Sequence, residues 1–369
     1  LSFGGWINAV IPVLIVPYYS VIGGWVIKYL VEYFRGNAKL LAEDGYFTDF
    51  ISNGVSTELC FVAFCAFTLI IIFAGVQNGI ERVSKIMMPI LIVLSVIIAV
   101  YSVTRPGALA GVKYFLVPNV KNFSWMTVVS AMGQMFYSLS IAMGILITFG
   151  SYMKKDTAIE DSTRNVEVFD TGIAIMAGLM IIPAVFAFSG GDPDTLQAGP
   201  SLMFITIPKV FQNMGFGTVI GIVFFLLVLF AAITSSIALT ESAVSTFEDE
   251  LGWGRKKATV LVGVIMLVLG SLSSLGYGPL AGIKIIGMQF LDLFDFLTNS
   301  VMMPIAALLT SLLVSRVVGI DKIEDEIIHG ESAFRRKKVF VVMIKYLCPV
   351  FAIIILLSSV ANALGWIKM

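Results

Sequence analysis

Four runs of about 18 or more mostly apolar residues, at 59–76, 86–103, 219–239 and 339–360, constrain this chain more than any other feature. A helix that crosses the hydrocarbon core needs about 20 such residues. Spanning strands would show alternating segments of about ten residues instead, and these runs do not alternate. The chain therefore reads as an all-α, polytopic membrane helical bundle. Composition agrees: 58% of its 369 residues are hydrophobic and only 13% charged, well away from the balance of a soluble domain.

Nine spans can be drawn, at roughly 5–33, 57–77, 84–104, 125–152, 166–190, 216–247, 257–275, 286–315 and 338–365. Clusters of Gly, Pro, Asn and Asp separate most of them. Orientation follows from Lys and Arg in the short loops. The loops 78–85, 153–165, 252–257 and 316–338 hold fourteen; the alternate loops 34–56, 105–124, 191–215 and 276–285 hold seven. The first set is expected to be cytoplasmic, with residue 1 on that side. The loop 316–337 is then cytoplasmic and the loop 191–215 external. The external loop contains an apolar patch, 200–211, too short to span and suited to a re-entrant or lid element.

Several chemistries are disfavoured. The net charge is zero and no basic tract marks a nucleic-acid partner. Cys60, Cys65 and Cys348 lie isolated in apolar runs, without metal-ligand spacing. The single histidine, His329, is in a polar loop, and no paired acids occur at mid-span. An enzyme is not expected, nor any cofactor.

Polar residues at membrane depth carry the functional signal, because lipid offers them no hydrogen bonds. "GQMFYSLSIAMG", residues 133–144, places Gln134, Tyr137, Ser138 and Ser140 between two glycines. Two readings stand: an interrupted helix, whose ends free N–H and C=O groups, or a close helix–helix contact through small residues. "LFAAITSSIALTES", residues 229–242, sets Thr234, Ser235 and Ser236 in succession, with the Ala231 carbonyl one turn earlier. These oxygens suit a hard cation, or the hydroxyls simply back-bond within the helix. In "PYYSVIGGW", residues 17–25, the adjacent Tyr18 and Tyr19 cannot both face one site, and Gly23–Gly24 suggests a close crossing. Asp170 lies about a turn inside its span. It is either a helix N-terminal charge or an intramembrane cation ligand. Asp292 and Asp295 lie near the outer end of the eighth span.

Together "YYSVIGGW", "GQMFYSLSIAMG", "AGPSLMFITIPKVF", "FAAITSSIALTES", "FEDELGW" and "LDLFDF" resemble, in order and spacing, the neurotransmitter:sodium symporter family, closest to its bacterial amino-acid transporters. The resemblance covers nearly the whole chain. It implies the inverted-repeat amino-acid transporter fold, with a discontinuous helix near 133–144 and residues 125–315 as the second repeat. Bacterial members have eleven spans. The nine here resemble the family's third to eleventh, so the resemblance places the first two helices outside this sequence, as an absent segment or a separate chain. Both gate arginines and much of both sodium sites belong to those helices in the family. A truncated, non-transporting chain is therefore one alternative, and a channel or a carrier not coupled to sodium is another.

The resemblance implies roles residue by residue. Ser138 and Asp170 match ligands of one sodium; the Ala231 carbonyl, Thr234 and Ser235 match those of a second. Tyr19 matches a tyrosine that binds the substrate carboxylate. Ile15, Tyr137, Ser138, Ser140, Met143, Ser235 and Leu239 match substrate contacts. Asp295 matches the acid of the outer gate, Tyr152 and Asp249 match the inner gate, and Gln134 a residue beside the outer gate. Chloride-dependent members carry Asn and Ser where this chain has Asp170 and Ala174, so chloride independence is expected. Ile15, Met143 and Leu239 give the matched pocket an apolar wall, and no acid is among its lining residues. The expected function is sodium-coupled import of a neutral, hydrophobic or aromatic L-amino acid across the cell membrane.

Overall fold

The computed structural model describes residues 2–192, 196, 199–331 and 333–363, and their regular secondary structure is helical apart from an isolated bridge between Ile285 and Met288. Among the described residues, eight continuous helices are long and apolar enough to span a membrane. They are α1 (Ser2–Phe34), α2 (Gly54–Phe73), α3 (Val76–Val103), α6 (Ile159–Ser189), α7 (Gly217–Leu251), α8 (Arg255–Leu275), α9 (Phe290–Val318) and α10 (Lys337–Asn362). The ninth expected span is split. It consists of α4 (Trp125–Ser138) and α5 (Ile145–Ser151), joined by residues 139–144, which form turns and bends instead of helix. Of the two readings for 133–144, the interrupted helix is what the structure contains.

The break has a backbone cause. Ser140, Ala142 and Gly144 all take positive φ, +54°, +60° and +73°. That region crowds Cβ against the following carbonyl and costs a non-glycine residue about 1–2 kcal/mol. Two such residues in six are local strain of the kind that collects at functional sites. Ser124 closes the other end of α4 in a reciprocal cap with Thr127, satisfying amides that the helix start would orphan.

The helix α1 is the centre of the bundle. Its apolar window is 67% buried, against 11% for α10, which sits at the rim with its apolar face outward. It packs against α2, α7, α8 and α9. The glycine pair explains its closest crossing: a Cβ at Gly24 would lie 2.7 Å from the Phe61 amide nitrogen, so only glycine lets these backbones meet. Further out, Trp25, Tyr29, Phe47, Phe204 and Phe225 form an aromatic cluster with centroid spacings of 5.0–6.2 Å.

The apolar patch of the 191–215 loop is a short helical segment, Leu202–Gln212. Residues 193–195, 197 and 198 of that loop lie outside the described residues. Tyr29 donates a 2.7 Å hydrogen bond to the Phe204 carbonyl. Lys209 pairs with Asp44 of the loop between α1 and α2. The Lys209 ammonium holds the exposed Asp44 carboxyl below its ordinary range. At the opposite end, the 316–337 loop contains a helix, Ile320–Gly330. Glu331 accepts from the Glu160 amide at 2.6 Å, and Glu160 accepts from the Arg335 and Arg336 amides at 2.9 and 3.1 Å. The loop and the start of α6 are thus tied to each other.

Candidate functional site

A cavity of about 340 Å³ lies against the helix break. Its wall contains Ile15 and Tyr19 from α1, Tyr137 and Ser138 from the end of α4, Ser140 and Met143 from the break, and Ser235 and Leu239 from α7. All eight residues expected to contact substrate therefore meet in one space. Met88, Ile145, Thr234 and Ala238 complete the wall. Ile15, Met143 and Leu239 are buried and form its apolar side. No charged side chain lines it.

Helix geometry decides which neighbours reach this space. Of the two tyrosines on α1, Tyr19 lines the cavity, whereas Tyr18 is 2% exposed and turns toward α9. The three consecutive hydroxyls of α7 diverge in the same way. Ser236 is fully buried and lies 3.1 Å from the Thr68 hydroxyl of α2. Ser235 opens to the cavity. Thr234 donates back to the carbonyls of Phe230 and Ala231, at 3.1 and 3.0 Å. Back-bonding is thus observed for Thr234, and it also gathers its oxygen and that of Ala231.

The second oxygen cluster joins α4 to α6. Ser138 Oγ donates to Asp170 Oδ1 at 2.6 Å. Ser138 ends α4 and lines the cavity, so this bond brings a carboxylate beside a space that otherwise lacks charge. Two sets of hard oxygen donors, Ser138 with Asp170 and Ala231 with Thr234 and Ser235, flank the same cavity. Oxygen ligands are the chemistry that sodium and other hard cations take.

The remaining expected residues lie away from the cavity. Gln134 is exposed on α4. Asp295, near the start of α9, accepts from Asn299 Nδ2 at 2.6 Å. Tyr152, just past α5, does not bond Asp249. Its hydroxyl donates to Glu241 at 2.7 Å, while Asp249 is exposed at the end of α7. Glu241 is fully buried and receives both ends of the Arg255 guanidinium, at 3.0 and 2.5 Å. A fork-on-carboxylate pair of this kind satisfies a buried charge that would otherwise be costly. Thr148 of α5 also bonds Ser242 and Ser245 of α7, at 3.2 and 3.3 Å. Sequence reasoning missed Glu241 and Arg255. Their only signal was an acid ten residues beyond Ala231 on α7, facing a basic start of α8.

Known proteins resemble this chain along most of its length. The family model described as "Sodium:neurotransmitter symporter family" matches residues 32–366. An uncharacterized sodium-dependent transporter of Bacillus subtilis (strain 168), YhdH, is 34% identical over 360 residues, covering 96% of this chain and 79% of its own. One from Haemophilus influenzae is 30% identical, covering 94% and 76% respectively. The crystal structure of MhsT in complex with L-phenylalanine superposes with a TM-score of 0.84 at 33% identity, over 97% of this chain and 81% of that one. With a split helix, flanking oxygen clusters and these matches in hand, the chain is a multi-pass membrane protein that belongs to the sodium:neurotransmitter symporter family.

Proposed function

We propose that the protein is a sodium-coupled symporter that imports a neutral, hydrophobic or aromatic L-amino acid by alternating access, without chloride. The observation that carries this reading is the cavity itself, where all eight expected contact residues meet between two oxygen clusters. Its size of about 340 Å³ lies at the small end of ligand pockets and suits a single amino acid. The apolar wall of Ile15, Met143 and Leu239 takes the side chain. Tyr19 hydrogen-bonds the carboxylate and Tyr137 closes over the substrate. The family's first two helices complete the site in this reading. MhsT is solved with L-phenylalanine, which supports an aromatic substrate here.

One sodium sits by Ser138 and Asp170 and the second by Ala231, Thr234 and Ser235. Their charge offsets the substrate carboxylate and Asp170. Asp170, with Ala174 in place of a hydroxyl, supplies the negative charge that chloride brings elsewhere. Each charge moved inward gains about 2.3 kcal/mol per 100 mV of membrane potential. Asp295 serves an outer gate with Gln134 beside it, the 191–215 segment acts as a lid, and Tyr152 and Asp249 belong to an inner gate that Glu241 and Arg255 extend. Residues 125–315 form the second repeat, alternating access comes from rocking of helix bundles around the site, and residue 1 faces the cytoplasm of the cell.

Equilibrium binding of labelled L-phenylalanine to the purified protein tests the assignment. Binding should require sodium. Thr234→Ala and Ser235→Ala should each weaken the sodium dependence about tenfold, the effect of losing one ion-bound oxygen. Binding indifferent to sodium sinks the symporter reading; parental behaviour of both variants sinks the second sodium site.

A further inference from the structure

Tyr18 takes no part in the cavity, yet it is buried at membrane depth with its hydroxyl engaged. It lies 3.2 Å from Thr298 Oγ1 on α9. The direction of each hydrogen bond around it can be worked out. Thr298 donates its single proton to the Phe294 carbonyl at 2.7 Å. Its oxygen is then left as an acceptor, so Tyr18 donates to Thr298. Asn299 spends its amide nitrogen twice, at 2.6 Å on Asp295 Oδ1 and at 3.4 Å on the Tyr18 oxygen.

That double use fixes the Asn299 side chain. Flipping the amide would set its oxygen against the Asp295 carboxylate and lose both bonds. Its Oδ1 consequently remains buried without a partner among the described residues, a position that costs stability on its own account. The helix also changes pitch here. Phe296–Met302 is a π-helical stretch directly after Asp295, a feature often found where helices carry function. A clamp meant only to join α1 to α9 needs the Tyr18–Thr298 bond alone. It has no need for an amide that strands its own oxygen to hold a carboxylate.

We propose that Asn299 and Tyr18 are positioning residues for Asp295. They lock the carboxylate in one rotamer, ready for a cationic partner, and connect it through the Tyr18–Tyr19 dipeptide to the cavity wall. This rests on the reading of Asp295 as the acid of the outer gate. The test is uptake of labelled L-phenylalanine into proteoliposomes under an inward sodium gradient, measured for the parent, Asn299→Leu, Asp295→Ala and the double variant. Asn299→Leu should lower kcat/KM about tenfold, as expected for loss of a hydrogen bond to a charged group. Added to Asp295→Ala, it should change uptake by less than about twofold, because its effect passes through that carboxylate. Losses that multiply in the double variant overturn the inference and leave a plain structural clamp.

Tyr18→Phe keeps the ring and removes only the hydroxyl. The same cycle with Asp295→Ala carries the test if Asn299→Leu does not fold, with a loss of several-fold expected. Parental uptake by Asn299→Leu and Tyr18→Phe, beside a damaged Asp295→Ala, refutes the positioning role alone. Parental uptake by Asp295→Ala removes the gate reading and the inference together.

Discussion

Alanine at Gly144 and alanine at Gly133 should have opposite consequences, although both glycines bracket the same motif. Gly144 stands where the broken helix restarts, at φ +73°, and a Cβ there would lie 2.9 Å from both the Asn8 carbonyl oxygen and Ser242 Oγ. The left-handed backbone costs alanine about 1–2 kcal/mol. Both contacts are under the 3.0 Å that real Cβ atoms keep, and relieving such overpacking costs about 1–3 kcal/mol more. Gly144→Ala should therefore destabilise the joint between α1, α5 and α7 by about 2–5 kcal/mol. Any part of that strain felt only in the closed, occupied site appears as lost affinity, tenfold for each 1.4 kcal/mol. Gly133 is inside α4 with nothing within 4 Å of a Cβ. Alanine there removes a poor helix former and should stabilise by up to about 1 kcal/mol. The assay pairs the unfolding midpoint in detergent with equilibrium binding of L-phenylalanine. Gly144→Ala should lower the midpoint and weaken binding at least tenfold, while Gly133→Ala matches or exceeds the parent in both. Equal behaviour of the two variants refutes the argument that the break is a strained, tightly fitted joint.

Arg255→Ala leaves the buried Glu241 with the Tyr152 hydroxyl as its remaining hydrogen-bond partner among the described residues, and breaking a buried pair in this way costs about 3–5 kcal/mol. Folded yield should fall sharply and recover in part when Glu241→Gln is added; no recovery contradicts the charge argument. Sodium-driven uptake should run at the same rate in chloride and in gluconate, and a rate more than halved by gluconate contradicts the role given to Asp170. The Asp44–Lys209 pair holds Asp44 below its ordinary value, so this contact is present at neutral pH and is lost as pH falls through that lowered value. Proteolysis of the 199–212 segment should rise modestly once the pH is well below about 4, and Asp44→Asn should remove that step.

The spanning helices were legible because lipid demands long apolar runs. The helix break was half legible. Glycine and serine spacing around 133–144 allowed either a break or close packing, and only positive φ at Ser140, Ala142 and Gly144 separates the two. Period 3.6 showed that Tyr18 and Tyr19 diverge, and that Thr234, Ser235 and Ser236 diverge, but not which one faces the cavity. That depends on how α1 is rotated within the bundle, which is settled by long-range contacts such as Gly24 on Phe61 of α2. Met88 could not be found at all: in sequence it is one more apolar residue in a spanning run, yet it lines the cavity. Glu241 was hidden for the opposite reason. Near the charged stretch at the end of α7 it looks solvated, and its burial follows from the packing of α5 and α8 around it.

Sodium coupling is tested most directly by uptake of labelled L-phenylalanine into proteoliposomes with sodium outside and potassium inside. Accumulation above equilibrium should occur, rise with an inside-negative potential, and collapse when external sodium is replaced by choline. Equal uptake with choline, or equilibration without accumulation under a full sodium gradient, would contradict the assignment of the cavity and its two oxygen clusters to sodium-driven transport.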